Sequence, residues 1–359
     1  MKAFYLISAV FTCLLWPQKA ALSAPPITED SGSAVILAYH RIGEDSYPAT
    51  SLRTEQFESH IEELTESSHR IRPLPEIVQA IKNGEKLPAQ TITITFEGGY
   101  KSILDQAVPL LLKKNIPFTV FYAADQAGGN SSQYLSWQDL EHLQQNPLVT
   151  LGILPSAYMR LSGQPQEEIL RQLNRARSAH QEHFGTQPKL FSYPFGEHSL
   201  AYRNIIENQK FDAAFGLQSG AVHSAADPYT LPRFSMTENY GDIERLRLVS
   251  SALPLPVRDI EPEDPYLTTS TKSIGFSVAD ELKDNLKNMS CFISGQKDVS
   301  QEIIGNRVEL RAPAPFEDER TRINCTMPGP KTEDGAVQWR WFGMLLINKD
   351  TNPQQGELL

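Results

Sequence analysis

The sequence predicts an α/β fold of parallel strands and covering helices, followed by a small all-β, sandwich-like domain. Three observations carry this prediction. From Ala34 to about Asn239, short apolar strand runs alternate with helical periodicity, an order that favours a parallel sheet, open or closed into a barrel. After Ser250 the pattern changes to prolines and acids, then to short strand-like runs with almost no helix. Two cysteines, Cys291 and Cys325, stand 34 positions apart within those last runs.

The elements follow in order. Ala34–Tyr39 is a short apolar strand, and Thr54 caps a helix with Phe57, Ile61 and Leu64 on one face. Leu74–Asn83 repeats the helical signal and stops at Gly84. Residues 91–96 (TITITF) alternate as a strand. Residues 102–114 are helical, with Pro109 expected to kink them. Strands at 118–122, 148–152, 189–193 and 213–215 are separated by helices at 136–143, 166–184 and 200–208. A Pro- and acid-rich linker is expected over 251–272, the β-rich domain over 273–348, and a disordered tail over 349–359.

Composition narrows the functional classes. The 359 residues suffice for two domains, and 40% hydrophobic with 21% charged residues is a globular balance. A formal charge of −10 argues against nucleic acid as a partner. Only the N-terminus carries a long apolar run, so a multi-pass membrane fold is excluded. Residues 1–23 have the form of a signal peptide: Lys2, an apolar stretch from Ala3 to Trp16, then Ala21-Leu22-Ser23. Cleavage after Ser23 removes Lys2 and Lys19 and no acid, taking the charge from −10 to −12. The expected location is periplasmic or extracellular, where Cys291 and Cys325 would pair as a disulfide.

In a barrel of parallel strands, chemistry gathers at the C-terminal strand ends. There the sequence places Tyr39-His40-Arg41, Glu97-Gly98-Gly99-Tyr100, Leu154 and Tyr158, Tyr193-Pro194-Phe195-Gly196, and Leu231-Pro232-Arg233-Phe234. His180 and His183, at helical spacing, lie toward the opposite end of the barrel, and His180 continues an apolar face. Trp339 and Trp341 share one strand face, either sandwich core or a platform for sugar rings.

These segments carry a resemblance. Thr95-Phe96-Glu97-Gly98-Gly99-Tyr100 resembles the TFDDGY motif of the polysaccharide deacetylases, the NodB-homology family. Residues 152–161 align with that family's G-x-H-T-x-x-H-x-x-L, and Ser192-Tyr193-Pro194-Phe195-Gly196 is similar to R-x-P-Y-G. Ala38-Tyr39-His40-Arg41-Ile42, residues 215–220 and residues 231–234 are similar to the subgroup that processes exported glucosamine polymers. The likeness spans roughly Ala34 to Asn239, assigns residues 34–250 to a NodB-type domain, and implies a distorted (β/α) barrel. It also implies hydrolysis of N-acetyl groups on sugars by a base and a divalent metal held by one aspartate and two histidines.

The departures from the motifs then matter. Glu97 stands at the base position, Gly98 at the metal-ligand aspartate, and Leu154 and Tyr158 at the two histidines. Neither glycine nor leucine offers a side-chain donor, and a phenol is mostly protonated at neutral pH. No metal is therefore expected, and no cofactor. Ser192 occupies the position of the arginine that orients the base, and the backbone N–H of Phe195 matches the oxyanion donor. The general-acid histidine has no clear counterpart, with His198 and His223 nearby.

The expectation is an exported member of this family at the cell envelope that has lost catalysis and binds N-acetylated polysaccharide. Tyr100, Tyr158, Tyr193 and Arg233 are the expected substrate contacts. One alternative is a working N-deacetylase rebuilt around Glu97 and His40, with or without a divalent metal, where Glu197, His198 or Asp125 would be a third ligand. Another is an envelope-assembly scaffold that docks a protein partner through the C-terminal domain.

Overall fold

The structure, a computed structural model, describes residues 32–332 and 335–349. The expected signal peptide and the tail beyond Lys349 lie outside the described residues.

The first domain is a curled parallel sheet covered by helices. Strands run side by side in the order Ser33–Tyr39, Thr91–Glu97, Phe118–Tyr122, Val149–Ile153, Leu190–Ser192 and Ala213–Phe215. The gap between last and first is bridged by one short segment. Leu231 pairs with Phe215, while Phe234 and Ser235 pair with Leu37 and Ala38. That strap closes the distorted barrel and carries Arg233 between its two attachments.

Strand alternation sorts the side chains. In Thr91–Glu97, Ile92, Ile94 and Phe96 pack outward with Phe57, Ile61 and Leu111 of the helical layer. Thr93, Thr95 and Glu97 alternate with them and are buried toward the barrel interior. The longest helix, Gln166–Phe184, ends on Gly185 in the left-handed conformation, as the sequence predicts. His180 is buried and its Nδ1 lies 2.8 Å from the Tyr122 hydroxyl, a packing role away from the mouth. The segment after Ser102 widens into a π turn over Ile103–Ala107, just before Pro109, which has no N–H to donate; an α-helix then follows over Val108–Lys113.

The second domain has two sheets around one core of Ile274, Phe276, Val308, Leu310, Ile323, Met327 and Leu346. Cys291 and Cys325 are directly opposed in neighbouring strands and form a disulfide. The expected linker over 251–272 is a correction. Leu253–Pro254 and Tyr266–Leu267 pair with the last strand, Val337–Asn348, and Val257–Glu261 pairs with Ser273–Val278. Prolines stand between or at the ends of these short runs, where a missing N–H is tolerated. The strand Ser300–Ile304 and the 3₁₀ helix Asp280–Asn288 also escape the sequence pattern. In the former, four of five residues are exposed, so no apolar period marks it.

The domains meet closely. Trp341 packs edge-on against Phe234 with centroids 5.1 Å apart. Trp341 thus serves the interface rather than the sandwich core. Gly343 passes so near the Ser219 backbone that any Cβ there would collide with it.

Candidate functional site

Glu97 ends its strand pointing into the barrel and is fully buried. Both carboxylate oxygens have partners. Oε1 accepts from the Tyr158 hydroxyl at 3.0 Å; Oε2 accepts from Ser192 Oγ at 2.6 Å and from Arg233 Nη2. Arg233, also fully buried, donates further to Ser192 Oγ at 2.8 Å and to the Gly216 carbonyl at 2.8 Å. Burial alone would raise the Glu97 pKa, but the Arg233 charge and the hydrogen bonds outweigh it and hold the carboxyl below its usual range. Glu97 is a fixed carboxylate in a closed ion pair.

This placement corrects two expected substrate contacts. Arg233 faces inward from the strap and occupies the position for orienting Glu97, the task the resemblance gives to the residue at 192. Tyr193 is fully buried and donates to the Tyr229 carbonyl at 3.0 Å, packed among Phe191 and Tyr202. Ser192 faces Glu97, so its neighbour must face the other side of the strand.

Tyr100 and Tyr158 do stand at the mouth, but as packing. Tyr158 stacks on Phe195 with centroids 5.0 Å apart, and burial keeps its phenol protonated as a donor to Glu97. The Tyr100 ring stacks on Tyr134 at 5.2 Å, beneath the Arg41 guanidinium at 3.9 Å. A Cβ at Gly98 would collide with that ring, and Gly98 has φ +103°, which side-chain-bearing residues rarely adopt. Leu154 is fully buried in the same cluster. The residues present do not fit a divalent ion: the donors expected of the family are replaced by an absent side chain, an aliphatic one and a phenol committed to Glu97. Among the described residues no group of three His, Cys, Asp or Glu side chains could hold a metal.

His40 lies beside this centre, its Nε2 3.9 Å from Glu97 Oε1 and its Nδ1 without a hydrogen-bond partner. Burial lowers its pKa to about 4, so the imidazole is neutral at physiological pH.

The second domain seals the mouth. In its strand Arg320–Lys331, Ile323, Cys325 and Met327 face the sandwich core, while Arg320 and Arg322 reach toward the barrel. Arg320 Nη2 donates to the Phe195 carbonyl at 2.6 Å, and Arg322 Nη1 to the Leu217 carbonyl at 3.3 Å. Phe195 itself sits at φ 60°, ψ 10°, a left-handed conformation uncommon for a bulky residue. Buried Glu197 ties the contact, with Arg320 Nε at 3.1 Å and Arg160 Nε at 3.4 Å. Arg160 pairs in turn with Glu319. From the sequence, Glu197 stands out only as a third ligand for a rebuilt site. Its role depends on Arg160, upstream in the chain, and on Arg320, more than a hundred residues downstream.

Comparison with known proteins places this arrangement. Residues 84–214 match the family model polysaccharide deacetylase. The poly-beta-1,6-N-acetyl-D-glucosamine N-deacetylase of Staphylococcus aureus is 22% identical over 232 residues, covering 58% of this chain and 80% of that protein. The Staphylococcus epidermidis protein of the same name is 24% identical over 239 residues, covering 58% of this chain and 81% of that one. Among solved structures, IcaB from Ammonifex degensii aligns with TM-score 0.56 at 22% identity over 62% of this chain and 99% of that one. The Streptococcus pyogenes deacetylase PplD, in complex with acetate, aligns with TM-score 0.56 at 16% identity over 61% and 99%. The curled parallel sheet and its helices are therefore a NodB-type (β/α) barrel. Residues 84–214 of that barrel match the polysaccharide deacetylase family model, and the chain is similar to the poly-beta-1,6-N-acetyl-D-glucosamine N-deacetylases. The β-rich domain follows the barrel as an addition.

Proposed function

We propose that this protein is an exported, non-hydrolytic member of the polysaccharide deacetylase family that binds N-acetylated glycan at the cell envelope. One observation supports the reading above the rest: the carboxylate at the base position is spent on a buried ion pair with Arg233, beside a ligand position filled by the Tyr100 ring. A general base must reach the proton it abstracts and have a pKa near the working pH. Glu97 has no exposed atom surface, and its pKa is shifted the wrong way. The Cys291–Cys325 bond is in keeping with an oxidising compartment, and the sequence relatives supply the glycan context.

The test joins three measurements on the purified mature chain. Metal analysis should find no stoichiometric zinc, nickel or cobalt. Acetate release from β-1,6-linked N-acetylglucosamine oligomers should stay at background. Titration calorimetry with the same oligomers should show binding. Absence of binding to any N-acetylated glycan overturns the reading. The competing reading, a deacetylase rebuilt on Glu97 and His40, draws on their 3.9 Å approach. Acetate release abolished by Glu97→Gln would establish it.

A further inference from the structure

The sealed mouth leaves open where a glycan would sit. Beside it, between barrel and sandwich, runs a cleft of ≈ 440 Å³, within the size range of small-molecule sites at domain interfaces. Its two walls differ. The sandwich contributes apolar surface from Leu255, Trp341 and Met344, and the barrel contributes His198, Gln218 and Asp227.

One atom of that polar wall is unusual. Gln218 Oε1 is buried and has no hydrogen-bond partner. A buried polar atom left without a partner costs about 1–3 kcal/mol. The other end of Gln218 is fixed, Nε2 donating to the Thr230 carbonyl at 2.6 Å. At the Glu97 centre each carboxylate oxygen is bonded, and the atoms left without a partner are Arg233 Nη1 and His40 Nδ1.

The charges of the cleft are cancelled. Arg203 grips Asp227 through two hydrogen bonds, at 2.9 and 2.8 Å. Glu263, exposed at the rim, disfavours an anion. An unpartnered neutral acceptor on Gln218 opposite an apolar wall with an indole suits a neutral polyhydroxylated ring: its hydroxyl and amide N–H groups meet the polar side, and its C–H face and acetyl methyl the other.

We propose that the glycan site of this protein is this interdomain cleft rather than the barrel mouth, and that it takes a neutral N-acetylated sugar unit. The proposal rests on the glycan-binding reading above and gives it a place. The test is titration of the mature full-length chain with β-1,6-linked N-acetylglucosamine oligomers, with thermal melts to confirm folding. Gln218→Ala removes the unpartnered acceptor, and Ala225→Trp, at an exposed lining position, fills the cleft without touching the core. Each should weaken binding at least tenfold, and a hyaluronan oligomer should bind the unmodified chain more weakly than the neutral oligomer. If both variants bind as tightly as the unmodified chain, or if the acidic oligomer binds as well, the cleft proposal is overturned while the glycan-binding reading stands. If no oligomer binds the unmodified chain, both fall.

Discussion

The Glu97 centre and the interdomain cleft lie near one another and are built in opposite ways. At Glu97, both carboxylate oxygens are bonded by a guanidinium, a serine and a phenol out of contact with water, although Arg233 Nη1 and the neighbouring His40 Nδ1 have no partner. In the cleft wall, Gln218 Oε1 is buried and held in place without a partner. The difference teaches that inheriting a catalytic position is not the same as keeping a site. A carboxylate whose hydrogen-bonding capacity is spent internally has become framework, and unspent capacity marks where a ligand can still contribute.

The sharpest way to break this comparison is Arg233→Ala. If Glu97 is framework, removing its counter-ion leaves a buried unpaired charge and costs about 3–5 kcal/mol in urea unfolding. A loss below 1 kcal/mol would mean that water reaches Glu97 and that the centre is open. Gly98→Ala comes next. Its positive φ and the Tyr100 ring in its path predict a loss of about 1–3 kcal/mol. An unchanged stability there would mean that the ring moves aside readily and the ligand position is recoverable.

Acid titration is the gentlest probe. Glu97 has a folded pKa below its unfolded value, so its contribution is present above the unfolded pKa and disappears as pH falls through the folded one. His40, His60 and His180 are lowered by burial from 6.5 to about 4 and stay uncharged in the fold. Below 6.5 the unfolded chain binds more protons than the folded one, so stability declines as pH drops from 6.5 toward 4. The melting temperature should thus begin to fall below pH 6.5, with the Glu97 contribution disappearing only at still lower pH. His60→Gln, at a site bonded to the Gly241 carbonyl at 2.9 Å, should flatten the first part of that decline.

Much of the fold was legible because periodicity reports burial. Residues 91–96 alternate, and the structure places Ile92, Ile94 and Phe96 with the helices and Thr93 and Thr95 inside. The prolines after Ser250 hid three short strands, since a proline interrupts a pattern whether or not the chain pairs on either side of it. At the site, position relative to strand ends correctly brought Glu97, Tyr100, Tyr158 and His40 together. Arg233 was legible as a mouth residue but not as a counter-ion. A signal existed: with serine at the base-orienting position, a buried Glu97 needs a cation from elsewhere, and Arg233 stands at the last turn of the barrel. The Arg320–Glu197 contact had no such signal, because it joins domains whose relative placement no local pattern encodes.

The strap between Leu231 and Ser235 has a consequence for how the chain is made. It delivers a guanidinium to a carboxylate 136 positions earlier in the sequence. Until that segment has been synthesised, a nascent barrel would hold a naked anion at its centre, an arrangement costly enough to keep the intermediate loose. Ring closure and charge neutralisation therefore coincide, and fragments ending before Arg233 should behave as expanded, protease-sensitive chains rather than as smaller versions of the native domain.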